Sequence, residues 1–231
     1  MSTRSGNSTF IETFWPQMAA ATSYSISRAL DATTQLFGAP YGPAGVPSAG
    51  EKGQALGPAL SVSIVLGLEK MAAMADHLNQ TWYADVYREQ ALLTRTAIDT
   101  LLWNSTGQFY AATLGAPGYD MMDIAQVLLA GIGSDDRRSQ FTAKLAALKV
   151  PAGYSNGTRY AGTPIVVDPY YESFLLEGLA VAKQTKLAQD LLDASWAPMV
   201  RRDANYTGGY WEYVVRTEFT VHEICCSFSI R

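Results

Sequence analysis

The chain has 231 residues, 48% of them hydrophobic and 16% charged, with a net charge of −4. That balance supports a folded core and argues against disorder, and the mild acidity supplies neither a basic stripe for nucleic acid nor a cationic anchor for an anionic membrane. Adjacent Cys225 and Cys226 make neither a disulfide framework nor spaced zinc ligands, and two histidines, His77 and His222, make no metal centre, so neither metal nor cofactor is expected.

The predicted elements are almost all helical. A first helix covers Trp15 to Leu30, and an irregular stretch from Gly38 to Pro47 follows it. Leu60, Ile64, Leu68 and Met71 share one helical face. The longest apolar run, Pro58 to Leu68, is interrupted by Ser61 and Ser63 and ends at Glu69, short of the roughly 18 residues a membrane helix needs. Val86, Tyr87, Gln90, Thr94, Ala97, Ile98, Leu101 and Leu102 define a second periodic face, ended by Thr106-Gly107, with Trp103 buried at the helix end. Ile124, Val127, Leu128 and Ile132 predict a third helix. Gly133 and Ser134 look like its C-terminal cap and the next helix's N-cap. Phe141, Leu145 and Leu148 mark the following helix.

Pro151 to Pro169 reads as a long loop. Beyond it, Phe174, Leu175, Leu179 and Ala182 mark one helix, and Leu187, Leu191, Leu192, Trp196 and Met199 another, joined by a tight turn at Lys183 to Lys186. Helix, short turn, helix, long loop is the rhythm of an αα-hairpin array, with the long loops gathered where function resides. No composition shift marks a linker, so a single domain over 1–231 is expected. Its atypical tail, 218–231, has no helical period and is either a strand or foreign to the fold.

The chain contains five asparagines, Asn7, Asn79, Asn104, Asn156 and Asn205, and each heads an N-x-[ST] acceptor. With Ser and Thr at about one residue in six, chance gives this about once in ten thousand chains. Turns also collect Asn, Gly and Ser, which is the competing account. The acceptor reading makes the chain a secreted glycoprotein. No leader precedes Gln17, so the chain is expected to be a piece of a longer one.

Two segments carry candidate chemistry. In Asn205-Tyr-Thr-Gly-Gly-Tyr-Trp-Glu-Tyr213, Glu212 sits among Tyr210, Trp211 and Tyr213 after a Gly-Gly turn. Rings that stack on sugar faces beside a fixed carboxylate make a sugar site, and a turn closed by packed aromatics is the alternative. In Val167-Asp-Pro-Tyr-Tyr-Glu-Ser-Phe-Leu175, Asp168, Tyr170, Tyr171 and Glu172 stand where a loop enters a helix. They read either as a cleft or as an N-cap with an acidic first turn. Asp120 and Asp123 read as a cap and its N3 partner.

Taken in order, these segments resemble the catalytic domain of the six-hairpin α-L-rhamnosidase-type glycoside hydrolases, particularly fungal ones. The resemblance runs from Phe14-Trp-Pro-Gln-Met18 through Ala97-Ile-Asp-Thr-Leu-Leu-Trp-Asn104 and Asp168-Pro-Tyr-Tyr-Glu172 to Trp196-x-x-Met199 and Thr207-Gly-Gly-Tyr-Trp-Glu212. It implies an all-α fold, part of an (α/α)6 toroid, and hydrolysis of terminal α-L-rhamnosides or related glycosides with inversion. It implies Glu212 as general base and Asp168, Tyr170, Tyr171, Glu172, Tyr210 and Trp211 around a carbohydrate substrate. It implies no partner in nucleic acid or membrane and says nothing of oligomeric state. The family's acidic motif holding the general acid would lie before Trp15, where this chain has no counterpart. A non-catalytic carbohydrate-binding relative, or an inactive fragment lacking the general acid, is therefore the alternative.

Overall fold

The structure, a computed structural model, describes residues 8–39, 55–157, 165–201, 213–217 and 220–224. It divides into two compact units, Met1–Leu101 and Leu102–Arg231.

In the first unit, α1 spans Thr9–Ala29, α2 Pro58–His77 and α3 Thr81–Leu101. Two-residue strands β1 (Gly38–Ala39) and β2 (Ala55–Leu56) pair antiparallel between α1 and α2. α2 and α3 form a helical hairpin. Ala84, Tyr87, Ala91, Thr94, Ala97 and Ile98 are the buried face of α3; of the stripe expected, Tyr87, Thr94, Ala97 and Ile98 lie on it, Val86 and Gln90 are half-buried, and Leu101 faces outward. Small residues on that face let the helices approach, and Trp15, Phe37, Val65, Leu68 and Tyr87 fill the core. Trp15 meets Tyr83 edge-on at 5.6 Å. Ser61 interrupts the apolar run for a reason: its hydroxyl accepts from the Phe37 N–H at 3.0 Å and donates to the Phe37 carbonyl at 3.2 Å. The turn into α3 is a Schellman motif, with Gln80 N–H on the Ala75 carbonyl, Asn79 N–H on that of Asp76, and Asn79 left-handed at φ 58°. α2 is longer than its sequence suggested. It has 20 residues, and an 18-residue stretch of it, with a mean hydropathy of 1.4, is long and apolar enough to cross a membrane; 44% of that stretch is buried in the protein.

The second unit contains α4 (Met121–Ala130), α5 (Asp135–Ala143), α6 (Leu145–Leu148), α7 (Pro169–Val181), α8 (Thr185–Leu191) and α9 (Ala197–Val200). α4 packs along α7, and α7 and α8 form a second hairpin. Gly178 faces the Ala125 carbonyl so closely that a Cβ there would strike it, so the α4–α7 spacing depends on glycine. α4 ends at left-handed Gly131, two residues before the cap expected, and Ser134 does cap α5. Between α8 and α9 the chain widens into a π-helical turn, Leu192–Trp196.

The strands are the departure from the sequence expectation. β3 (Trp103–Asn104) and β4 (Phe109–Tyr110) form a tight hairpin where a helix end was expected. Trp103 is therefore only half-buried, with the Arg137 guanidinium over its ring at 5.2 Å. β5 (Lys149–Val150) and β6 (Gly153–Tyr154) form another hairpin inside the supposed long loop. β7 (Ile165–Val167), β8 (Tyr213–Thr217) and β9 (Thr220–Ile224) make an antiparallel sheet in that order. The tail is thus a strand over 220–224. Runs of two or three residues are too short to show a period of two, which is why the helical signal masked them.

Candidate functional site

The segment after β7 is built as a helix N-terminus. Asp168 is the N-cap of α7, its carboxylate accepting the Tyr171 N–H at 3.2 Å, and Pro169 fills the first helical position, where no N–H is needed. The next turn sorts its side chains by helical angle. Tyr170 is 64% exposed, its ring edge-on to Phe174 at 5.4 Å, and Tyr171 is half-buried. Glu172 points the other way and is completely buried.

Glu172 is held against the β5–β6 hairpin. Its Oε1 accepts the Tyr154 N–H at 2.8 Å, while Oε2 is sealed with no hydrogen-bond partner among the described residues. Gly153 lies over the carboxyl at φ 137°. A Cβ there would overlap both Glu172 Oε1 and Ser195 Oγ. Ser195, on the π-helical turn, donates to the Ala152 carbonyl at 2.7 Å. Hairpin, α7 and π-turn thus close around one carboxyl group. Burial pushes Glu172 up to about 7; the Ser195 hydroxyl and the Tyr154 N–H pull against that, and the Asp168 charge adds to it. A buried carboxyl whose pKa is raised by desolvation is the kind of group found at functional sites and also in structural networks.

A second buried acidic cap lies at α4. Asp120 accepts the Asp123 N–H at 3.0 Å, and Asp123 accepts the Asp120 N–H at 3.1 Å, a reciprocal capping box that confirms the local reading. The Met121 N–H goes to the Asn156 carbonyl at 2.8 Å, which ties the start of α4 to the chain leaving β6. Among the described residues no group of three His, Cys, Asp or Glu is arranged to hold a metal.

The sheet register joins the two candidate segments. Val167 pairs with Val214, so the chain leaving β7 at Asp168 and the chain entering β8 at Tyr213 lie at the same end of the sheet. Adjacent antiparallel strands run about 5 Å apart. Glu212, Tyr210 and Trp211 lie outside the described residues. Of the four α7 residues, Tyr170 alone presents most of its side chain to solvent; the carboxyl groups of Asp168 and Glu172 are turned inward. Gly153, Tyr154 and Ser195 were not singled out in the sequence. The signal available was Gly153 itself, between Pro151 and Tyr154, since a glycine in a short strand often marks close approach by another group.

No protein-family model matches this sequence, and no curated protein does. The likeness is to solved structures. A GH78 family rhamnosidase of Bacillus sp. GL1 superposes with a TM-score of 0.67 at 20% identity, over 90% of this chain and 21% of its own. A rhamnosidase from Klebsiella oxytoca with rhamnose bound gives 0.68 at 16%, over 94% of this chain and 38% of its own. A sialidase gives 0.73 at 11%, over 90% of this chain and 22% of its own. The chain therefore spans between 21% and 38% of the lengths of these proteins. At such identities the likeness is one of fold alone, an all-α hairpin array.

Proposed function

We propose that the chain is part of a secreted, glycosylated inverting glycoside hydrolase acting on terminal α-L-rhamnosides or related glycosides, both units belonging to one six-hairpin domain. Glu212 is the general base, taking a proton from the water that attacks the anomeric carbon, while an acid protonates the leaving oxygen from the opposite face. Tyr170, Tyr210 and Trp211 stack on the sugar. Tyr171 borders the same mouth, and Asp168 and Glu172 act as positioning residues behind it. The observation that supports this reading is the register: Val167 opposite Val214 brings Asp168 and Tyr213, far apart in sequence, to one end of one sheet. The glycosidases among the structural neighbours support the substrate class.

The test is Glu212→Gln assayed on p-nitrophenyl α-L-rhamnopyranoside with the anomeric product followed by NMR. Loss of a general base lowers turnover about 10²–10⁴-fold, with inverted product from the unaltered protein. Equal hydrolysis by both proteins would sink the assignment. The inward commitment of the Asp168 and Glu172 carboxyls favours one other reading, a sugar-binding relative without turnover. It predicts rhamnose binding, unchanged by Glu212→Gln, with no hydrolysis from either protein.

A further inference from the structure

Every asparagine of the chain heads a glycosylation acceptor, and the structure separates those it describes into two kinds. Asn79 and Asn104 are exposed. Asn79 occupies the left-handed position of the α2–α3 turn, and its partner Thr81, also exposed, opens α3. Asn104 sits at the mouth of the β3–β4 hairpin with its Oδ1 accepting the Gly107 N–H at 2.7 Å. That bond uses the oxygen and leaves the amide nitrogen, the atom that carries a glycan, for substitution. Thr106 beside it is exposed.

Asn156 is different. Its Oδ1 is buried without a hydrogen-bond partner among the described residues, and its carbonyl accepts the Met121 N–H at the start of α4. The next residue, Gly157, bridges Asp120 so tightly that a Cβ would overlap it. Asn156 is thus half-buried, with its side-chain oxygen enclosed and its backbone tied to the start of α4, and a hydrated oligosaccharide on its amide would have to disturb that packing.

We infer that Asn79 and Asn104 carry N-linked glycans and that Asn156 does not. The inference rests on the secreted-glycoprotein reading above. The transfer is redox-neutral. The C1–O bond of an oligosaccharide on a lipid-linked pyrophosphate donor breaks, a C1–Nδ2 bond forms, the amide gives up one proton and the lipid pyrophosphate leaves.

The experiment uses protein isolated from its own source, digested with trypsin and released with peptide N-glycosidase in heavy-oxygen water. Each occupied Asn then becomes a labelled Asp. The three acceptors fall on separate peptides, Met71–Arg88, Thr96–Arg137 and Val150–Arg159. Label at Asn79 and Asn104 with none at Asn156 is the expected result. Label at Asn156, or unlabelled Asn79 or Asn104 beside label at Asn7 or Asn205, overturns the inference while the glycoprotein reading stands. No label anywhere overturns both. Thr81→Ala and Thr106→Ala should each remove one mobility step without altering the asparagine that shapes its turn, and an unchanged band in either case also overturns the assignment.

Discussion

Besides its apolar side chains and Tyr87 the α2–α3 pair buries Ser61 and Thr94, whereas the second unit buries Asp120, Asp123, Gln126, Thr142, Asp168, Glu172 and Ser195. Both regions are helices packed closely through small residues. In the first, apolar surface removed from water supplies the stability, at about 25 cal/mol per Å². In the second, part of that gain is set against the desolvation of carboxyl groups, which is tolerated where each finds backbone N–H donors. Asp120, Asp123 and Asp168 find them at helix starts; Glu172 finds one and leaves an oxygen over. A region that retains such a group for packing alone could have been built from leucine. The polar region is thus the one whose packing depends on carboxyl groups finding donors.

The largest expected effect breaks that region mechanically. Gly153→Ala introduces a methyl group where Glu172 Oε1 and Ser195 Oγ already stand, at a backbone angle side chains rarely adopt. Overpacking and the unfavourable φ together cost about 4 kcal/mol. Urea unfolding would read this as a lowered midpoint. A midpoint within about 0.5 kcal/mol of the unaltered protein's would mean that the hairpin lifts freely off α7.

The next effect is electrostatic and changes with pH. The ordinary value for Glu172 is 4.5, and the folded protein raises it to about 7. Between those values the folded state keeps a proton that the unfolded chain has lost, so this group's contribution is complete below about pH 4.5 and disappears as pH rises through 7. The span corresponds to about 3 kcal/mol. Glu172→Gln keeps the acceptor for the Tyr154 N–H and removes the titration. Relative to the unaltered protein, the variant should therefore gain about 3 kcal/mol from pH 4.5 to pH 8. Parallel stability curves would show that the carboxyl remains ionised throughout and that burial there is weaker than its geometry indicates.

How far these regions could be foreseen follows from the length of the signals that encode them. The α3 face repeats along a 21-residue helix, and its stripe is legible because the misplaced positions, Val86, Gln90 and Leu101, leave Tyr87, Thr94, Ala97 and Ile98 in phase. The Asp120–Asp123 box and the Asp168 cap are local, within three residues, and were legible for that reason. The enclosure of Glu172 was not. It depends on Gly153, 19 residues earlier, and on Ser195, 23 residues later, meeting the carboxyl through a hairpin of two-residue strands and a π-helical turn, neither of which has a periodic sequence signature. Likewise the Val167–Val214 pairing crosses 47 residues, so the meeting of Asp168 and Tyr213 at one end of the sheet is a property of topology rather than of either motif.

The smallest predicted effect tests the apolar side of the comparison. Tyr87 is the largest side chain buried in the α2–α3 unit, and its hydroxyl is buried without a hydrogen-bond partner among the described residues. Burial raises its pKa, the neighbouring Tyr83 adds to that, and the Ser23 hydroxyl, outside hydrogen-bond geometry, pulls weakly against it. Its ring packs against Tyr83 with centroids 6.0 Å apart, a contact that phenylalanine would keep. Removing an unpaired buried hydroxyl returns its desolvation cost and leaves a gap of one oxygen atom, two small terms of opposite sign. Tyr87→Phe should therefore shift stability by no more than about 0.5 kcal/mol in either direction in urea unfolding. A loss above about 1.5 kcal/mol would mean that the hydroxyl has a partner in solution, and that this core, like the one around Glu172, depends on a buried polar contact.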